Sequence, residues 1–569
     1  MDVDVLVVGA GPVGLVAAGQ LGRLGVRTLL VEPRREVVPH PRARSINVRT
    51  NEIFRAWGIE DEIRSACLPV EWGEQMVFTR TLAGEEIGRV PMRTQGTRDG
   101  IEYSPCAWLL SSQDRLEPIL ADHAARQSSV EQWWGRELVG LEQASAAAGP
   151  AAAVTAVTAT VRAAEGGSER VVRARWVIGA DGASSFVRKA IGVRMVGRHG
   201  LGALVNTQFY ADLGPWTDHR PAALYWTTAP AANVFQKIDP HGRWLCQISP
   251  DAAKGDPRDL APDQAADWIR RSVGVEDLEV RVVDTIPWSV SCTVAEHFRV
   301  GRVFLAGDAA HQLPPSGGFG MNTGVQDVHD LAWKLAGVTQ GWASERLLDT
   351  YMAERAPIAE WNSQRSLDNG RAVAHIRRMA EGARPDLHGD AGLPLVRRYT
   401  NFVGMDLGLA YEAGALVPDG SAAPVVEDPV VDYVPVARPG HRSPHHWFRR
   451  AGRPTSSLDL FDARFVLLAG PGGGPWRRAA AGVAAPLEVM VVGEDLEDLE
   501  GPSGTWAEVY GVERDGAVLV RPDGMVGARF RHGGADLTGR FASALAKIVG
   551  PERASGAGRI SGDTPPGGR

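Results

Sequence analysis

The sequence predicts an α/β protein of about three units, and three observations carry that expectation. The first 32 residues read strand, glycine turn, helix, strand. Short apolar runs entering glycine-containing turns recur at 170–178 and 302–306. Between these two lies a stretch rich in Tyr, Trp, Thr and Val with strand-like alternation. At roughly 100–200 residues per domain, 569 residues leave room for two or three separate cores.

Element by element, 3–8 is a β-branched and aliphatic run, 13–24 has helical apolar spacing, and 28–31 is a second run. Together they make one βαβ unit of the kind that builds a buried parallel sheet. Helical patterns follow at 49–57 and 113–125. The Ala/Gly/Pro tract 144–153 reads as a floppy hairpin tip between two strands. Because the apolar runs at 170–178 and 302–306 return to the opening pattern, the nucleotide-binding unit is expected to be discontinuous. The stretch 202–288, with AALYWTTAP and GRWLCQISP, predicts an inserted sheet. Past Gly337 the pattern is helical to about 398. From Leu416 a Pro-, Gly- and acid-rich linker leads into RFVLLAG, a glycine turn, a helix, LEVMVVG, AVLVRP, MVGARF and a final helix, a separate α/β module. The Gly/Pro/Ser-rich tail 556–569 predicts disorder.

Composition narrows the function classes. With 44% hydrophobic and 23% charged residues the chain is neither disordered nor fibrous. A net charge of -7 and a pI near 6.1 argue against a nucleic-acid partner. No run of about 18 apolar residues suggests a membrane span, and the glycine-broken, acid-led N-terminus does not read as a signal peptide. Four scattered cysteines show neither a disulfide framework nor a zinc pattern, so a reducing cytoplasm is the expected compartment and no metal is expected.

The chemistry begins at Gly9, Gly11, Pro12 and Gly14, a G-x-G-x-x-G turn between strand and helix, with Glu32 closing the second strand. That spacing is a dinucleotide fingerprint: Gly9 for the tight turn, Gly11 for backbone approach to a pyrophosphate, Gly14 for helix-on-strand packing, Glu32 to accept from ribose hydroxyls. The helix N-terminus offers free N–H groups to the anion.

Two later segments, RWVIGADGASSFVRKAIG around Asp181 and RVFLAGDAAHQLPPSGGFGMNTGVQD around Asp308, follow that fingerprint in order. With PRARSINVRTNEIFRAWGI and SPCAWLLSSQDRLEPIL they resemble the class A FAD-dependent aromatic hydroxylases, closest to the phenol, chlorophenol and polyketide hydroxylases. The resemblance covers about the first 400 residues. It implies a Rossmann-like FAD-binding domain at 1–75, 105–195 and 290–400, an inserted β-sheet substrate domain at 76–104 and 196–289, and a thioredoxin-like C-terminal domain at 416–555. It also implies NAD(P)H- and O₂-dependent hydroxylation of a phenolic or polycyclic aromatic substrate through a flavin C4a-hydroperoxide. Baeyer–Villiger or epoxide chemistry is the alternative on the same scaffold; an FAD-dependent dehydrogenase or a non-redox FAD-fold binding protein is the alternative of another class.

Residue by residue, the resemblance implies that Asp308 binds a ribityl hydroxyl. Pro315, Gly318, Gly320, Met321 and Asn322 wrap the pyrimidine edge of the flavin, the N–H groups of Met321 and Asn322 facing N1 and O2. Asp181, with Ser185 and Arg188, serves the FAD pyrophosphate and NADPH or NADH. Arg42 and Arg44 reach the diphosphate and flavin, Gln113 the ribose and phosphates, and the Val139 backbone the adenine. His311 is expected to be a packed structural group rather than a catalyst. In the inserted sheet Tyr225, Trp226, Trp244 and Trp288 are the candidates for substrate contact, and Tyr225 for assisting phenol deprotonation. A second glycine loop near Gly470 has Pro475 where a third glycine would stand, and the C-terminal module has no cysteine. It is read as structural, an aid to a homodimer, as is the HHW run at 445–447, which lacks a metal-ligand set.

Overall fold

The computed structural model describes residues 1–37, 40–92, 95–98, 101–145, 154–230, 233–248, 260–381 and 398–550. Of the expected hairpin tip at 144–153, residues 144–145 end a strand and 146–153 lie outside the described residues, as do the end of the helical stretch at 382–397 and the tail at 556–569.

The first sheet is parallel at its centre. Asp2–Val8 pairs with Thr28–Glu32 on one side and with Glu169–Gly179 on the other, Thr28–Glu32 pairs with Val130–Trp134, and Val303–Leu305 pairs with the end of Glu169–Gly179. Apolar residues run continuously through these strands because both faces are covered. Helix Pro12–Arg23 and helix Phe319–Gln340 pack on the sheet within one apolar core that includes Leu6, Leu15, Leu29, Trp176, Phe304 and Leu331. An antiparallel hairpin, Arg136–Ser145 with Val154–Ala163, extends the sheet from Glu169–Gly179.

The second sheet is almost wholly antiparallel and runs in the order His311–Gln312, Arg281–Ala295, Met195–Tyr210, Arg243–Ile248, Asn233–Lys237, Leu224–Thr227, Gln75–Thr79, Glu86–Pro91. Alternate residues face opposite ways. Val205, Phe209, Tyr225, Phe235 and Cys246 point to one side, where helix Pro262–Val273 closes a core with Trp268 and Ile269. The other side is covered by helix Thr350–Glu381, whose Ser363 carbonyl accepts from Cys292 Sγ at 3.6 Å, and by Tyr399, which packs with Met76, Phe78 and Val90.

The C-terminal module is a four-stranded mixed sheet, Leu487–Val491, Phe465–Ala469, Ala517–Val520, Val526–Phe530, flanked by helices Pro475–Ala479 and Leu537–Val549 in a thioredoxin-like arrangement. It is fixed to the first domain by buried charge. Arg521 bridges Asp330 and Glu354 at 2.8 Å each, and Lys334 reaches the same two carboxylates at 2.7 and 2.8 Å. Burial opposes ionisation of Glu354, but Arg521 and Lys334 outweigh it and hold the carboxyl below the usual range. Removing one partner of such a set strands a buried charge.

The helix expected to start beside Met321 and Asn322 runs Phe319–Gln340 and ends with Gly341 in the left-handed conformation, and the helical stretch expected past Gly337 is, among the described residues, chiefly Thr350–Glu381.

Candidate functional site: a nucleotide cradle facing the second sheet

Three loops meet at the C-terminal ends of the parallel strands. Gly9 has φ +100, and a Cβ there would lie 2.5 Å from the Ala180 carbonyl; one on Gly14 would lie 1.8 Å from the Gly9 carbonyl. The chain itself demands these two glycines. Gly11 is different: its backbone is ordinary (φ -73, ψ 177) and a Cβ would meet nothing within 4 Å. Room at Gly11 is therefore kept for something that is not the chain. Pro12 follows as the first helical residue, where its missing N–H costs nothing.

Glu32 sits buried at the strand end. Oε2 accepts from Ala10 N–H at 2.7 Å, and Oε1 accepts from the Arg34 backbone N–H at 3.0 Å and from Nε at 2.6 Å. A carboxylate has about four acceptor positions, so one remains for a hydroxyl. Beside it, Gln113 Nε2 donates to Glu117 Oε1 at 2.6 Å, and Arg34 lies 3.7 Å from the same carboxylate. Val139 is the extra residue of a bulge: register passes from Leu138 opposite Val161 to Gly140 opposite Thr160.

Gly307 and Asp308 form the second loop. A Cβ on Gly307 would lie 2.9 Å from Val13 Cγ2, so this turn touches the first helix. Beneath it, Asp327 accepts from Gly307 N–H at 3.2 Å, from Arg355 Nε at 2.9 Å, and pairs with His311 Nε2 at 2.6 Å, all three side-chain partners being fully buried. His311 thus braces the turn. The Asp308 side chain is reachable from solvent but closely ringed by protein; that burial raises its pKa against the pull of His311 and Arg42.

Residues 315–322 form the third loop and the start of helix Phe319–Gln340. Gly318, in the left-handed region at φ +69, caps the helix, and its N–H is taken by the Pro315 carbonyl at 3.0 Å. The N–H groups of Phe319, Gly320 and Met321 have no acceptor one turn back and present the positive end of the helix dipole. A Cβ on Gly320 would meet nothing within 4 Å. Asn322 acts through its side chain: Oδ1 accepts from Asn47 N–H at 3.0 Å, and Nδ2 donates to the Ser45 and Gly318 carbonyls at 3.0 and 2.8 Å. Asn47 Nδ2 in turn donates to Asp406 at 2.8 Å, whose carboxyl burial pushes up to about 7.

Two glycines open to empty space, a carboxylate with a spare acceptor and a helix start aimed between them fit a dinucleotide laid across the strand ends, its anionic groups near the first helix and a polar ring near the second. The second sheet stands over this line. His40 Nδ1 meets Asp284 at 2.8 Å, and Pro315–Gly318 is tied to the covering helix by Asn369 Nδ2 donating to the Ser316 carbonyl at 3.3 Å.

Comparison with known proteins gives the same answer. Residues 2–366 match the model of the FAD binding domain family and residues 436–551 that of the aromatic-ring hydroxylase C-terminal family. The chain belongs to the FAD-dependent aromatic-ring hydroxylases. It is 37% identical to a putative polyketide hydroxylase of Streptomyces halstedii over 93% of each chain. It is 34% identical to the 2,4-dichlorophenol 6-monooxygenase of Delftia acidovorans over 92% of this chain and 94% of that one. Among solved structures it resembles the flavin-dependent monooxygenase PieE with FAD and substrate, with a TM-score of 0.86 and 34% identity over 96% of this chain and 99% of that one. It also resembles aklavinone-11 hydroxylase with FAD and aklavinone, with a TM-score of 0.82 and 33% identity over 96% and 99%. This hydroxylase is an FAD-dependent monooxygenase, with NAD(P)H and O₂ as co-substrates.

Several expectations change on the structure. Tyr225 is fully buried in the core on the far side of the second sheet, and its hydroxyl donates to the Arg220 carbonyl at 2.8 Å. Burial pushes its pKa up, away from any use as a base. Trp244 belongs to the same core. Aromatic character alone does not tell which face of a strand a residue occupies. Trp226 and Trp288 do lie on the face turned toward the covering helix. Arg44 does not reach for the cradle: Nη1 donates to the Lys237 carbonyl at 2.8 Å and Nη2 to that of Ala223, and burial lowers its pKa to about 9. It ties the loop to the second sheet, while Arg42 stays exposed near Asp308. Asp181 is spent locally, accepting from Ser185 Oγ at 2.5 Å and Val187 N–H at 2.9 Å, and burial still raises its pKa. Arg188 donates to the Ala309 and Ala183 carbonyls, locking this turn to the Asp308 turn. Asn206, Gln208 and the His40–Asp284 pair were missed. Asn206, Thr207 and Gln208 are consecutive polar residues, which gives no signal of which side each takes, and both faces of this sheet are covered.

Proposed function

We propose that the hydroxylase oxygenates an electron-rich ring of a phenolic or polycyclic aromatic compound, held between the second sheet and the cradle. The observation that carries this is the convergence of the Gly11, Asp308 and Gly320 loops under one face of that sheet, with both open glycines on the line between them. When bound, FAD supplies electron transfer from the nicotinamide and activation of O₂. The chain's part is placement. Gly11 admits the pyrophosphate to the first helix start, the last acceptor position of Glu32 takes a ribose hydroxyl, and Asp308 takes a ribityl hydroxyl. The free N–H groups up to Met321 face the pyrimidine edge, where they favour the negative charge of the reduced ring. The bulged backbone at Val139 and the side chain of Gln113 border the adenosine end. The two sheets and helix Thr350–Glu381 keep water from the ring.

Residues 1–75, 105–195 and 290–400 are assigned to the FAD-binding unit, 76–104 and 196–289 to the substrate unit and 416–555 to the C-terminal unit. No helix of the described residues is long and apolar enough to cross a membrane, and a reducing cytoplasm suits the four free cysteines. The test is incubation of the FAD-loaded protein with NAD(P)H, a panel of phenols and hydroxylated polycycles, and isotopically labelled O₂. Label in a new ring hydroxyl is expected; label in a lactone would move the assignment to Baeyer–Villiger chemistry, and flavin reduction with no label in any product would end it.

A further inference from the structure

Among the described residues, each buried carboxylate but one lies against a cation. Glu32 has Arg34, Glu52 has Arg442 and Arg49, Asp327 has Arg355, and Asp330 and Glu354 share Lys334 and Arg521; Glu60, Glu117, Asp239 and Asp523 are paired in the same way. Asp406 is the exception. It is 7% exposed, has no arginine, lysine or histidine within ion-pair distance, and takes its side-chain hydrogen bond from Asn47 Nδ2 at 2.8 Å. A buried carboxyl without a cation is one whose charge the fold leaves unbalanced. Its place is behind the start of helix Phe319–Gln340. Asp406 lies in the short helix Val403–Leu407, and two contacts tie that segment to the helix start. Phe402, just before it, stands edge-on to Phe319, the first residue of the long helix, with ring centroids 5.1 Å apart. Asp406 itself holds Asn47, whose N–H donates to Asn322 Oδ1 at 3.0 Å, while Asn322 Nδ2 donates to the Gly318 carbonyl at 2.8 Å. The helix start that offers free N–H groups to a ligand is thus tied to an unbalanced carboxyl through Asn47.

What this carboxyl does follows from charge. Hydride transfer leaves one negative charge on the ring edge that the free N–H groups face, and an ionised Asp406 behind the same helix start opposes it. We propose that Asp406 is a positioning residue for cofactor reduction, its carboxyl taking one proton from solvent as the ring takes a hydride and releasing it when the ring is reoxidised. Two electrons and one proton pass from NAD(P)H to the ring; the further proton passes from water to an Asp406 oxygen, and no other bond changes. Burial already pushes the Asp406 carboxyl up to about 7, so the exchange falls in the range where the enzyme is handled. The charged and titratable groups packed round it have states or partners of their own. On helix Val48–Ala56, burial opposes ionisation of Glu52, but Arg442 and Arg49 outweigh it. Burial keeps the Cys106 thiol and the Tyr433 hydroxyl protonated, and Tyr103 stands edge-on to Tyr433. In the loop before Tyr433, Asp428 pairs with Arg398 and Asp432 accepts from the Asp428 N–H at 3.0 Å. The inference rests on the reading above that sets the ring edge at this helix start, and adds to it the group that answers the ring's charge.

The test is the reduction equilibrium of the FAD-loaded enzyme against a reference dye from pH 6 to 9, for the wild type and for Asp406→Asn, which keeps an acceptor for Asn47 and removes the titration. At pH 6 the two are expected to agree within about twofold. As pH rises through 7 the wild type falls behind, and at pH 9 its ratio of reduced to oxidised flavin is expected to lie about tenfold below that of the variant, about 30 mV for a two-electron couple. A merely structural role would weaken FAD alike in both redox states and leave this ratio unmoved. Should Asp406→Asn not hold FAD, the wild type alone decides. Anaerobic reduction by NAD(P)H in weak buffer at pH 7.5, followed with an indicator dye, is expected to take up roughly half a proton per flavin from water while the absorbance of the reduced ring shows it still anionic. Parallel curves for the two proteins, no proton uptake, or a proton found on the ring itself overturns the proposal. The placement of the ring is read separately from Gly320→Ala: unchanged FAD affinity there counts against the ring edge lying at this helix start, whatever Asp406 does.

Discussion

Two strand-loop-helix turns in this molecule are rich in glycine, and they use it in opposite ways. Near Gly470 the glycines serve the chain: a Cβ on Gly470 would lie 2.5 Å from the Arg514 carbonyl and one on Gly473 2.5 Å from Ala469 Cβ. Around Gly11 only the outer two serve the chain, and the middle one borders open space. The same contrast separates Gly318, crowded by Ser45, from Gly320, crowded by nothing. A glycine that the fold does not need, at a helix start with free N–H groups, is evidence of a ligand that a motif alone does not supply. It also shows why the C-terminal loop, despite its look, is no second nucleotide site.

The sharpest way to break this contrast is Gly11→Val. Its backbone conformation suits any residue, so the apoprotein should lose no more than about 1 kcal/mol from the altered helix cap. The branched side chain fills the space reserved for the pyrophosphate, and FAD affinity should fall about 10²-fold or more, an overpacking cost of roughly 3 kcal/mol. Fluorescence titration of the apoprotein with FAD, beside its thermal unfolding, separates the two effects. The mirror experiment is Gly470→Ala. Contact with the Arg514 carbonyl should cost about 1–3 kcal/mol of stability while FAD affinity stays at the wild-type value. If Gly470→Ala weakens FAD and spares the fold, the two loops have been read the wrong way round.

The brace under the third loop gives a pH signature that the C-terminal loop lacks. Asp406, at about pKa 7 through burial, accepts from Asn47, which holds Asn322 and with it the helix start. The unfolded chain ionises this carboxyl near its reference value of about 3.9. The native state therefore keeps a proton that the unfolded state releases, and the stabilisation, complete below about pH 4, is lost as pH rises through 7. Unfolding midpoints followed from pH 5 to 8 should fall by several degrees from this group. Asp406→Asn keeps the acceptor and removes the titration, so its midpoint should exceed that of the wild type at pH 8. Equal slopes for the two proteins would place the titrating group elsewhere.

How much of this was legible beforehand depended on whether a residue's task is local. The first strand, turn and helix, with Glu32, are specified within 32 consecutive residues, and the structure places them as the motif spacing requires. Helix Gln113–Ala125 was bounded correctly by its apolar periodicity. The substrate side was harder, because which face a strand residue occupies depends on register with distant strands. Tyr225 and Trp226 are neighbours of similar chemistry, yet one packs in the core under helix Pro262–Val273 and the other on the opposite face against Phe78, a difference set by pairing with Phe235 and Val234. Asn206 and Gln208 were invisible for a related reason: with Thr207 between them the run is polar throughout, and nothing in it tells which residue takes which face. Arg44 looked like a phosphate ligand by position, but its partners are carbonyls of residues 223 and 237, nearly 200 positions away.

The smallest effect tests the contrast most strictly, because it asks for a gain. Gly320 lies in the first turn of a 22-residue helix, and glycine in a helix interior costs about 1 kcal/mol relative to alanine. The fold gives no steric reason for carrying that cost, since a methyl group at Gly320 would touch nothing. Gly320→Ala should therefore stabilise the apoprotein by about 0.5–1 kcal/mol while weakening FAD, since the methyl projects where the ring edge approaches the free N–H groups. The two shifts have opposite signs, so in FAD-saturated protein they oppose each other, and the midpoint should move less than in either separate measurement. A loss of apoprotein stability would show that Gly320 serves the helix after all, and the space beside it would then need another explanation.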